Sequence, residues 1–448
     1  MTLRTIICVC TLGFVAIQTN TELRAETPRR SDRPNVLFIT VDDLNTSLGC
    51  YGHPLVKSPN IDRLAKHGVR FDRAYCQYPL CNPSRTSFLT GRRPDTTRIL
   101  DNFTPPRTHL DNVVFLPEYF RQHGYYTARM GKIAHTRYED TVTWDIVKQP
   151  PDDGGLSGPT DKLDSEEIDG RTAKNIVQML EEHPSQPLFI AAGFRRPHQP
   201  FQAPRRYFSM YPPESLPLPR EPANDRVDIP PIALATAPDV PKNMTGESLR
   251  KNMASYFACI TFVDAQIGIV LDAMERLGRL DNTIIVLFSD HGFHLGEHGG
   301  LWEKESLFEE CARVPLIIAA PGKRRDVVSP RLAELVDVFP TLTELCGLPA
   351  PNGLEGTSLV PLLDDPNRPW KQAAFSMVTR EGGIMGRSVR SERYRYTEWG
   401  NAKNAELYDH ENDPHEYKNL VLHAKSREAL KEHRKMLADG WTAAVPSQ

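Results

Sequence analysis

The chain has few cysteines, no CxxC motif, and no long hydrophobic run beyond its first residues. Only eight cysteines occur in 448 residues, and Cys8 and Cys10 belong to the amino-terminal segment. Without CxxC, a zinc ribbon or thioredoxin-like motif is excluded, and a scaffold built mainly on disulfides is not expected. The remaining cysteines are Cys50, Cys76, Cys81, Cys259, Cys311 and Cys346. We expect most of them to be buried structural thiols, with at most two bridges.

Neither sign of charge dominates the sequence. The formal net charge is −3, which gives no overall attraction to nucleic acid or to anionic lipid, although a local basic pocket can still bind a polyanion. Hydrophobic residues make up 40% of the chain and charged residues 25%, as in ordinary globular proteins. We therefore predict a globular protein of two or three structural units, with no nucleic-acid partner.

The amino terminus has the pattern of a secretory signal peptide. Arg4 precedes the apolar run 6–17, and a polar stretch follows and ends near Ala25. The apolar run is too short to span a bilayer comfortably. We predict a signal peptide over residues 1–25, no stable membrane anchor, and export to a periplasmic, extracellular or lysosomal-type compartment.

Continuous apolar runs rich in β-branched residues predict strands that are buried on both faces. These runs are residues 35–41, 187–192, 283–288 and 315–320. Helix-like amphipathic stretches separate them, at residues 116–123, 169–182 and 249–277. Alternating strands and helices predict an α/β fold with a large mixed, mostly parallel sheet flanked by helices.

The carboxyl-terminal part reads differently. Residues 388–396 predict strands of an antiparallel sheet, and residues 426–440 predict a terminal amphipathic helix. We therefore divide the mature chain into a catalytic domain, 33–379, and a smaller α+β domain, 380–448. The proline-rich segment 203–243 predicts a long ordered surface loop, placed where it could act as a lid over a site.

Polar residues follow several predicted strands. Asp42 and Asp43 come after the first, residues 194–198 after the second, and Asp290 and His291 after the third. Because ligands bind beyond the carboxyl ends of parallel strands, these groups are expected to converge. Carboxylates suit Ca²⁺ or Mg²⁺, while the histidine leaves Mn²⁺ or a transition metal open. Each pair alone is more often part of a turn or helix cap, and it is their joint occurrence at strand ends, with Cys81 between them in sequence, that favours a metal site.

The residues 81–92 read C-N-P-S-R-T-S-F-L-T-G-R. Their polar start predicts a cap for a helix through Phe88 and Leu89, which would place Cys81 at the positive amino end of that helix. A cysteine can also be inert and buried, or a thiol nucleophile paired with histidine. The carboxylates predicted nearby argue against a plain thiol enzyme, which does not need them.

This stretch resembles the signature C-x-P-S-R-x-x-x-L-T-G-R of the sulfatase family, within the alkaline phosphatase superfamily. The resemblance covers nearly the whole mature chain and is closest to the iduronate-2-sulfatase branch. The other matching stretches are residues 41–44, 58–62, 91–97, 131–135, 196–198, 289–292, 296–299 and 394–397. It implies an alkaline phosphatase-like fold and an enzyme that removes sulfate from a sulfated saccharide.

The resemblance also implies the cofactors. A separate maturation enzyme would oxidise Cys81 to formylglycine (3-oxoalanine), whose hydrate is the nucleophile. One Ca²⁺, rather than Mg²⁺ or Mn²⁺, would be held by Asp42, Asp43, Asp290, His291 and the modified Cys81.

The remaining roles come from the same resemblance. Arg85 would support the hydrated aldehyde, and Lys132 and Lys304 would hold the sulfate oxygens. His198 would protonate the leaving alcohol, and His135 would be the base that releases sulfate from the enzyme in the second step.

Two other functions remain open from the residues alone. One is phosphate-ester hydrolysis on the same fold, where related enzymes place Ser or Thr at the position of Cys81. The other is a glycan-binding protein with an inactive site. The chain departs from the human-type branch at 293–294, at 299–304 and at 136–137, where the wall around the sugar is expected. The resemblance therefore implies the reaction and leaves the sugar open.

Overall fold

The computed structural model describes residues 33–152, 154–182, 187–236, 244 and 246–446. The predicted signal peptide, with Cys8 and Cys10, lies outside the described residues, as does the end of the proline-rich segment, 237–243. The six remaining cysteines are free thiols, and all except the half-buried Cys50 are buried. Buried thiols are therefore confirmed for most of the predicted set.

A nine-stranded sheet forms the centre of the molecule, in the order β11-β2-β12-β8-β1-β6-β3-β4, with β13 beside β2. Its strands are β1 (Asn35–Val41), β2 (Val69–Tyr75), β3 (Tyr126–Gly131), β4 (Ile146–Lys148), β6 (Leu188–Phe194), β8 (Thr283–Ser289), β11 (Arg313–Val314), β12 (Leu316–Ala319) and β13 (Val327–Glu334). Short two-stranded pairs are formed by β5 (Gly158–Thr160) with β7 (Gln202–Pro204), and by β9 (His294–Leu295) with β10 (Trp302–Glu303).

Parallel pairing dominates the large sheet. Strand β1 runs parallel to β6 and β8, and β3 runs parallel to β6 and β4. Strands β11 and β12 pair antiparallel to β2, which makes the sheet mixed. Val41 is in register with Phe194 on one side and Ser289 on the other. The residues that follow β1, β6 and β8 therefore emerge side by side, as predicted.

The described residues form thirteen α-helices, and the large sheet has helices on both faces. The thirteen helices are α1 (Pro59–His67), α2 (Cys81–Thr90), α3 (Pro94–Thr97), α4 (Leu116–Gln122), α5 (Ile168–Glu182), α6 (Arg205–Phe208), α7 (Gly246–Arg276), α8 (Glu297–Gly300), α9 (Glu309–Ala312), α10 (Val338–Leu345), α11 (Val360–Asp364), α12 (Arg427–Asp439) and α13 (Trp441–Ala444). In β1, Leu37 and Ile39 pack with α1, α5 and α7, whereas Val36 and Phe38 pack with α2, α4 and α10. This alternation explains the continuous apolar run of a strand covered on both faces.

Helix α7 is long and apolar enough to cross a membrane, and 83% of its most apolar stretch is buried inside the fold. Its buried residues belong to the same core as α1 and α5. A helix that is apolar on most sides is expected at such a central position.

The carboxyl-terminal part forms a four-stranded antiparallel sheet covered by α12. Its strands are β14 (Ala374–Thr379), β15 (Met385–Arg390), β16 (Tyr394–Trp399) and β17 (Asn401–Asp409). The predicted antiparallel sheet and terminal helix are both confirmed. The sheet begins at Ala374, because β14 pairs with β15 along its whole length. The start of the proline-rich segment contains β7 and α6, elements that its lack of periodicity did not predict.

Candidate active site

The strand ends bring the predicted polar residues to one edge of the sheet. Strands β8, β1, β6 and β3 are consecutive neighbours, and each is followed by candidate residues. Asp290 and His291 follow β8, Asp42 and Asp43 follow β1, His198 follows β6, and Lys132 and His135 follow β3. The three aspartates and His291 are buried.

Cys81 occupies the first position of α2, so its thiol lies at the positive end of the helix dipole. This confirms the predicted helix. The sulfur lies 3.3 Å from Nζ of Lys304 and 3.5 Å from Nε2 of His291. The nearest oxygens of Asp42 and Asp43 lie 3.8 and 4.0 Å away. The thiol is buried among both the predicted metal ligands and a predicted sulfate-binding lysine.

Arg85 joins the two ends of the metal cluster from the next turn of α2. Its Nε donates to Oδ2 of Asp290 over 2.9 Å, and its Nη2 donates to Oδ1 of Asp42 over 2.8 Å. Nη1 donates to the carbonyl oxygens of Lys132 and Ile133. Because Arg85 is fully buried, these charge-assisted bonds fix both carboxylates relative to Cys81.

Two lysines, from different parts of the chain, each pair with one aspartate of this cluster. Nζ of Lys132 lies 2.5 Å from Oδ2 of Asp42, and Nζ of Lys304 lies 2.7 Å from Oδ1 of Asp43. Both side chains are buried. Lys304 lies between Glu303 and Glu305, which have positive φ angles of 68° and 70°. This unusual backbone accompanies a buried lysine between two half-buried glutamates.

Two histidines complete the group. One ring nitrogen of His198 lies within 4.8 Å of a carboxylate oxygen of Asp42 and of Asp43. Its Nδ1 lies 2.6 Å from the carbonyl oxygen of Gln199. His135 is half-buried and interacts electrostatically with Cys81 and Lys132. All ten residues singled out in the sequence therefore surround one point at the sheet edge.

Two family models cover almost the whole described chain. The model described as Sulfatase matches residues 34–348, and the model described as N-sulphoglucosamine sulphohydrolase, C-terminal, matches residues 296–441. The chain belongs to the sulfatase family. Members of this family are sulfuric ester hydrolases, and the chain is therefore an enzyme of that class.

Relatives match this sulfatase over most of their length. A sulfatase of Formosa agariphila is 33% identical over 464 residues, which covers 94% of this chain and 90% of the relative. Human iduronate 2-sulfatase is 34% identical over 492 residues, which covers 87% of this chain and 89% of the human protein. The resemblance to the iduronate-2-sulfatase branch is thereby confirmed.

Solved structures share the fold. The phosphonate monoester hydrolase of Agrobacterium radiobacter aligns with a TM-score of 0.80 at 25% identity, covering 92% of this chain and 96% of the other. A 2-O GAG sulfatase aligns with a TM-score of 0.77 at 28% identity, covering 92% and 93%. The sulfatase therefore has the predicted alkaline phosphatase-like architecture.

Burial and neighbouring charges shift the pKa values of several groups in the site. Burial alone would raise the pKa of the Cys81 thiol, but Lys132 and Lys304 hold it well below its ordinary value. Burial raises the pKa of Asp290 to about 6, against the effect of Arg85. Burial would lower the pKa of His291, yet Asp290, Asp43 and the hydrogen bond with Cys81 together raise that pKa to about 10. The carboxylates therefore favour a positive charge at the position of His291.

The donor set fits a divalent metal ion. Ligand atoms of Asp43, Cys81, Asp290 and His291 lie within 4.8 Å of one another, and all four residues are buried. Nδ1 of His291 lies 2.9 Å from the carbonyl oxygen of Gly292, so the lone pair of Nε2 faces the cluster. Carboxylate oxygens in such a pocket suit a hard cation.

Sequence reasoning missed two serines that position the site. Oγ of Ser289 lies within hydrogen-bonding distance of the carbonyl oxygens of Val41 and His291, and it accepts from the Leu44 amide. The hydroxyl of Ser84 donates to the carbonyl oxygen of Asp290. Ser289 therefore ties the ends of β1 and β8 together. The only signal was their place within the motifs P-S-R and S-D-H-G, which does not show what a hydroxyl contacts.

Proposed function

We propose that this sulfatase uses formylglycine made from Cys81, together with one Ca²⁺, to remove sulfate from a sulfated uronate at the end of a saccharide. The observation that carries the proposal is the position of Cys81. Its buried sulfur, at the first residue of α2, lies 3.3 Å from Lys304 and 3.8 Å from Asp42. A nucleophile there would meet a sulfate group already neutralised by lysine.

Binding of the sulfate would rest on Lys132 and Lys304. Both ammonium groups now neutralise aspartates that are also candidate metal ligands. When a metal is held by those aspartates, the lysines would be free to turn part of their charge towards the sulfate oxygens. Lysine suits this task as a compact point charge that does not require one fixed geometry.

Activation of the nucleophile would depend on the buried cluster around Cys81. The hydrated aldehyde would supply one hydroxyl to attack sulfur and a second to expel the sulfate afterwards. Ca²⁺, held by Asp42, Asp43, Asp290, His291 and the modified residue 81, would supply charge that favours the ionised hydroxyl. Arg85 would keep the two carboxylates in place through its hydrogen bonds to Asp42 and Asp290.

Proton transfer would involve the two histidines. His198 interacts with both Cys81 and Asp42, so it is placed to protonate the leaving alcohol. Burial lowers the pKa of His135 to about 4, so this imidazole is neutral over most of the working pH range and can accept a proton. We assign His135 as the base that releases sulfate from the enzyme.

The uronate is proposed from the relatives. Iduronate 2-sulfatases of human and mouse match most of the chain, and another relative is named a delta 4,5-hexuronate-2-O-sulfatase. The residues 293–294 and 299–304 differ from the human-type pattern, and Phe293 packs in the core against Tyr256 and Trp302. The difference at Phe293 therefore changes packing behind the site and not a group that faces the sugar.

The test is the mass of the peptide that contains residue 81, measured on protein made with a formylglycine-generating enzyme, alongside sulfate release from a panel of defined sulfated saccharides. We expect the mass of formylglycine, release from a 2-O-sulfated uronate, and no turnover by Cys81→Ala. Cys81→Ser, which lacks a second hydroxyl, should stall after one turnover. Cys50→Ala is the matched control. An active Cys81→Ala enzyme would contradict the proposal.

A second candidate is hydrolysis of phosphate or phosphonate esters, favoured by the structural similarity to a phosphonate monoester hydrolase. Both reactions need the same metal cluster and the same cations. Rates on an aryl sulfate and on the matching aryl phosphate and phosphonate monoester separate the candidates. We expect the sulfate to react fastest.

We also propose that the protein is exported, on the pattern of residues 1–25. Amino-terminal sequencing of protein recovered from the periplasm or medium should give a start near Glu26. Full-length protein confined to the cytoplasm would contradict export.

A further inference from the structure

Arg380 is an arginine held rigidly beside the active site. It directly follows β14, and its guanidinium lies over the ring of Trp399 at 4.8 Å from the centroid. Nε donates to the carbonyl oxygen of Ile232 over 3.1 Å, and Nη2 donates to that of Ala235 over 2.9 Å. Within the described part of the chain, Nη1 has no hydrogen-bond partner, and it is not a buried atom, so it reaches solvent.

The segment that leads into Cys81 places Arg380 at the site. The hydroxyl of Tyr78 accepts a hydrogen bond from the amide of Thr379, the residue before Arg380, over 2.8 Å. The carbonyl oxygen of Pro79 accepts one from the amide of Glu305 over 3.0 Å. Residues 78–80 run directly into α2. The same few residues therefore position the nucleophile, the loop of Lys304 and the start of the loop that carries Arg380.

Glu305 links Arg380 to the sulfate-binding lysine. Its half-buried carboxylate interacts electrostatically with Arg380 and also with Lys304 and His291, so it lies within reach of both charged groups. Among the described residues it forms no hydrogen bond or ion pair through its side chain. Glu305 is therefore a carboxylate near both Arg380 and Lys304.

The charge of Arg380 is poorly compensated. The hydrogen bonds it makes go to neutral carbonyl oxygens, and it forms no ion pair with a carboxylate of the described residues. Burial lowers the pKa of Arg380 in spite of the nearby Glu305. A cation that is stacked, oriented and short of a negative partner is prepared to bind an anion at little conformational cost.

We propose that Arg380 binds the carboxylate of the sulfated uronate while Lys132 and Lys304 bind its sulfate. This inference rests on the proposed function and names the second anionic group that the site recognises. Nη1 is the donor that remains open to a carboxylate, since Nε and Nη2 already donate to backbone carbonyl oxygens, and a bond from a guanidinium to a carboxylate is charge-assisted. The hydrogen bonds to Ile232 and Ala235 and the contact with the Trp399 ring hold the guanidinium in place before substrate binds.

The experiment compares two saccharides that differ at one group. One ends in a 2-O-sulfated uronate, and the other is the same compound with its carboxyl reduced to a hydroxymethyl group. We expect the wild-type enzyme to favour the carboxylate by roughly 10- to 100-fold in kcat/KM, the usual range for one charge-assisted pair. In Arg380→Gln the ratio should fall towards one. Arg387→Gln removes an arginine of the same sheet that pairs with Asp95, and it should keep the wild-type ratio.

The outcomes are distinguishable from failure of the proposed function. If the wild-type enzyme cleaves both saccharides equally, the subsite is wrong although the enzyme is a sulfatase, and this result does not depend on how Arg380→Gln folds. If folded Arg380→Gln still prefers the carboxylate-bearing saccharide as strongly as the wild-type enzyme does, the proposed role of Arg380 is also wrong. If the wild-type enzyme, with formylglycine verified, releases no sulfate from an aryl sulfate or from either saccharide, the proposed function fails and the subsite fails with it.

Discussion

Lys304 bridges Asp43 and Cys81: its Nζ lies 2.7 Å from Oδ1 of Asp43 and 3.3 Å from Sγ of Cys81. The side chain is buried, and Asp43 and Cys81 help to raise its pKa well above the ordinary value although burial opposes them. These neighbours favour the charged form of Lys304. A fixed positive charge beside the reacting atom is a strong source of transition-state stabilisation.

We expect Lys304→Met to lower kcat/KM for a sulfate ester by roughly 100- to 1,000-fold, as for the loss of one preorganised donor in an active site. The size of the side chain is kept, so the change removes mainly the charge. Lys323→Met is the control, because Lys323 pairs with the exposed Asp364 on the surface. Steady-state kinetics on an aryl sulfate measure both. Activity of Lys304→Met within a few-fold of wild type would contradict the assigned role.

Calcium should stabilise the folded protein through the cluster of Asp42, Asp43 and Asp290. A ligand that binds only the folded state adds about 2.7 kcal/mol at a hundred times its Kd. We expect added Ca²⁺ to raise the Tm of the wild-type protein and a chelator to reverse the rise, without any need for activity. Asp290→Asn should lose the response, whereas the exposed Asp281→Asn should keep it. If none of Ca²⁺, Mg²⁺ and Mn²⁺ changes the Tm of the wild-type protein, the proposed metal site is wrong.

The sequence predicted the aspartates and the histidine of the ligand set because they lie directly after apolar strands. Asp42 follows Val41, and Asp290 follows Ser289, so a strand-end rule is enough to bring them together. Lys304 differs, since it lies in a loop between β10 and α9 and has no strand-end signal. Its position depends on positive φ angles at two glutamates, which residue type alone does not indicate. Only the family resemblance pointed to it.

The sequence could not show how the second sheet joins the first. Arg93 lies in the motif at residues 91–97, but its guanidinium makes a bidentate pair with Glu334, 241 residues away in the chain. Glu334 also accepts from Lys371 and from the amide of Phe375 in β14. Such a buried network has no local periodicity. Arg93 is therefore a structural residue within a stretch that had only suggested the family.

This network predicts an acid-sensitive stability. Burial alone would raise the pKa of Glu334, but Arg93 and Lys371 outweigh it and lower the pKa from 4.5 to about 2. Because the folded-state value is the lower one, the stabilising contribution is complete above pH 4.5 and is lost as the pH falls towards 2. Glu334→Gln leaves two buried cations without their shared partner, and we expect it to cost about 3–5 kcal/mol near neutral pH.

Urea unfolding from neutral pH down to the acid limit of folding measures that difference. The gap between wild type and Glu334→Gln should narrow as the pH falls below 4.5. Asp337 lies in the same network, and burial raises its pKa. Because Asp337 is present in both proteins, the difference in their free energies of unfolding reports mainly on Glu334. Glu392→Gln, which breaks an exposed pair with Arg331, is the control and should cost less than about 1 kcal/mol. A gap independent of pH would show that Glu334 is not ionised in the fold.

His198 should matter most for substrates with poor leaving groups. A sugar alkoxide needs a proton as it leaves, whereas a nitrophenolate leaves readily without one, so loss of a general acid slows the first far more than the second. We expect His198→Gln to lower sulfate release from a saccharide by roughly 100-fold or more, and to lower release from nitrophenyl sulfate much less. The exposed His67→Gln should leave both rates unchanged. Equal losses on the two substrates would instead mean that His198 positions Cys81 or the metal cluster, since it interacts with both Cys81 and Asp42.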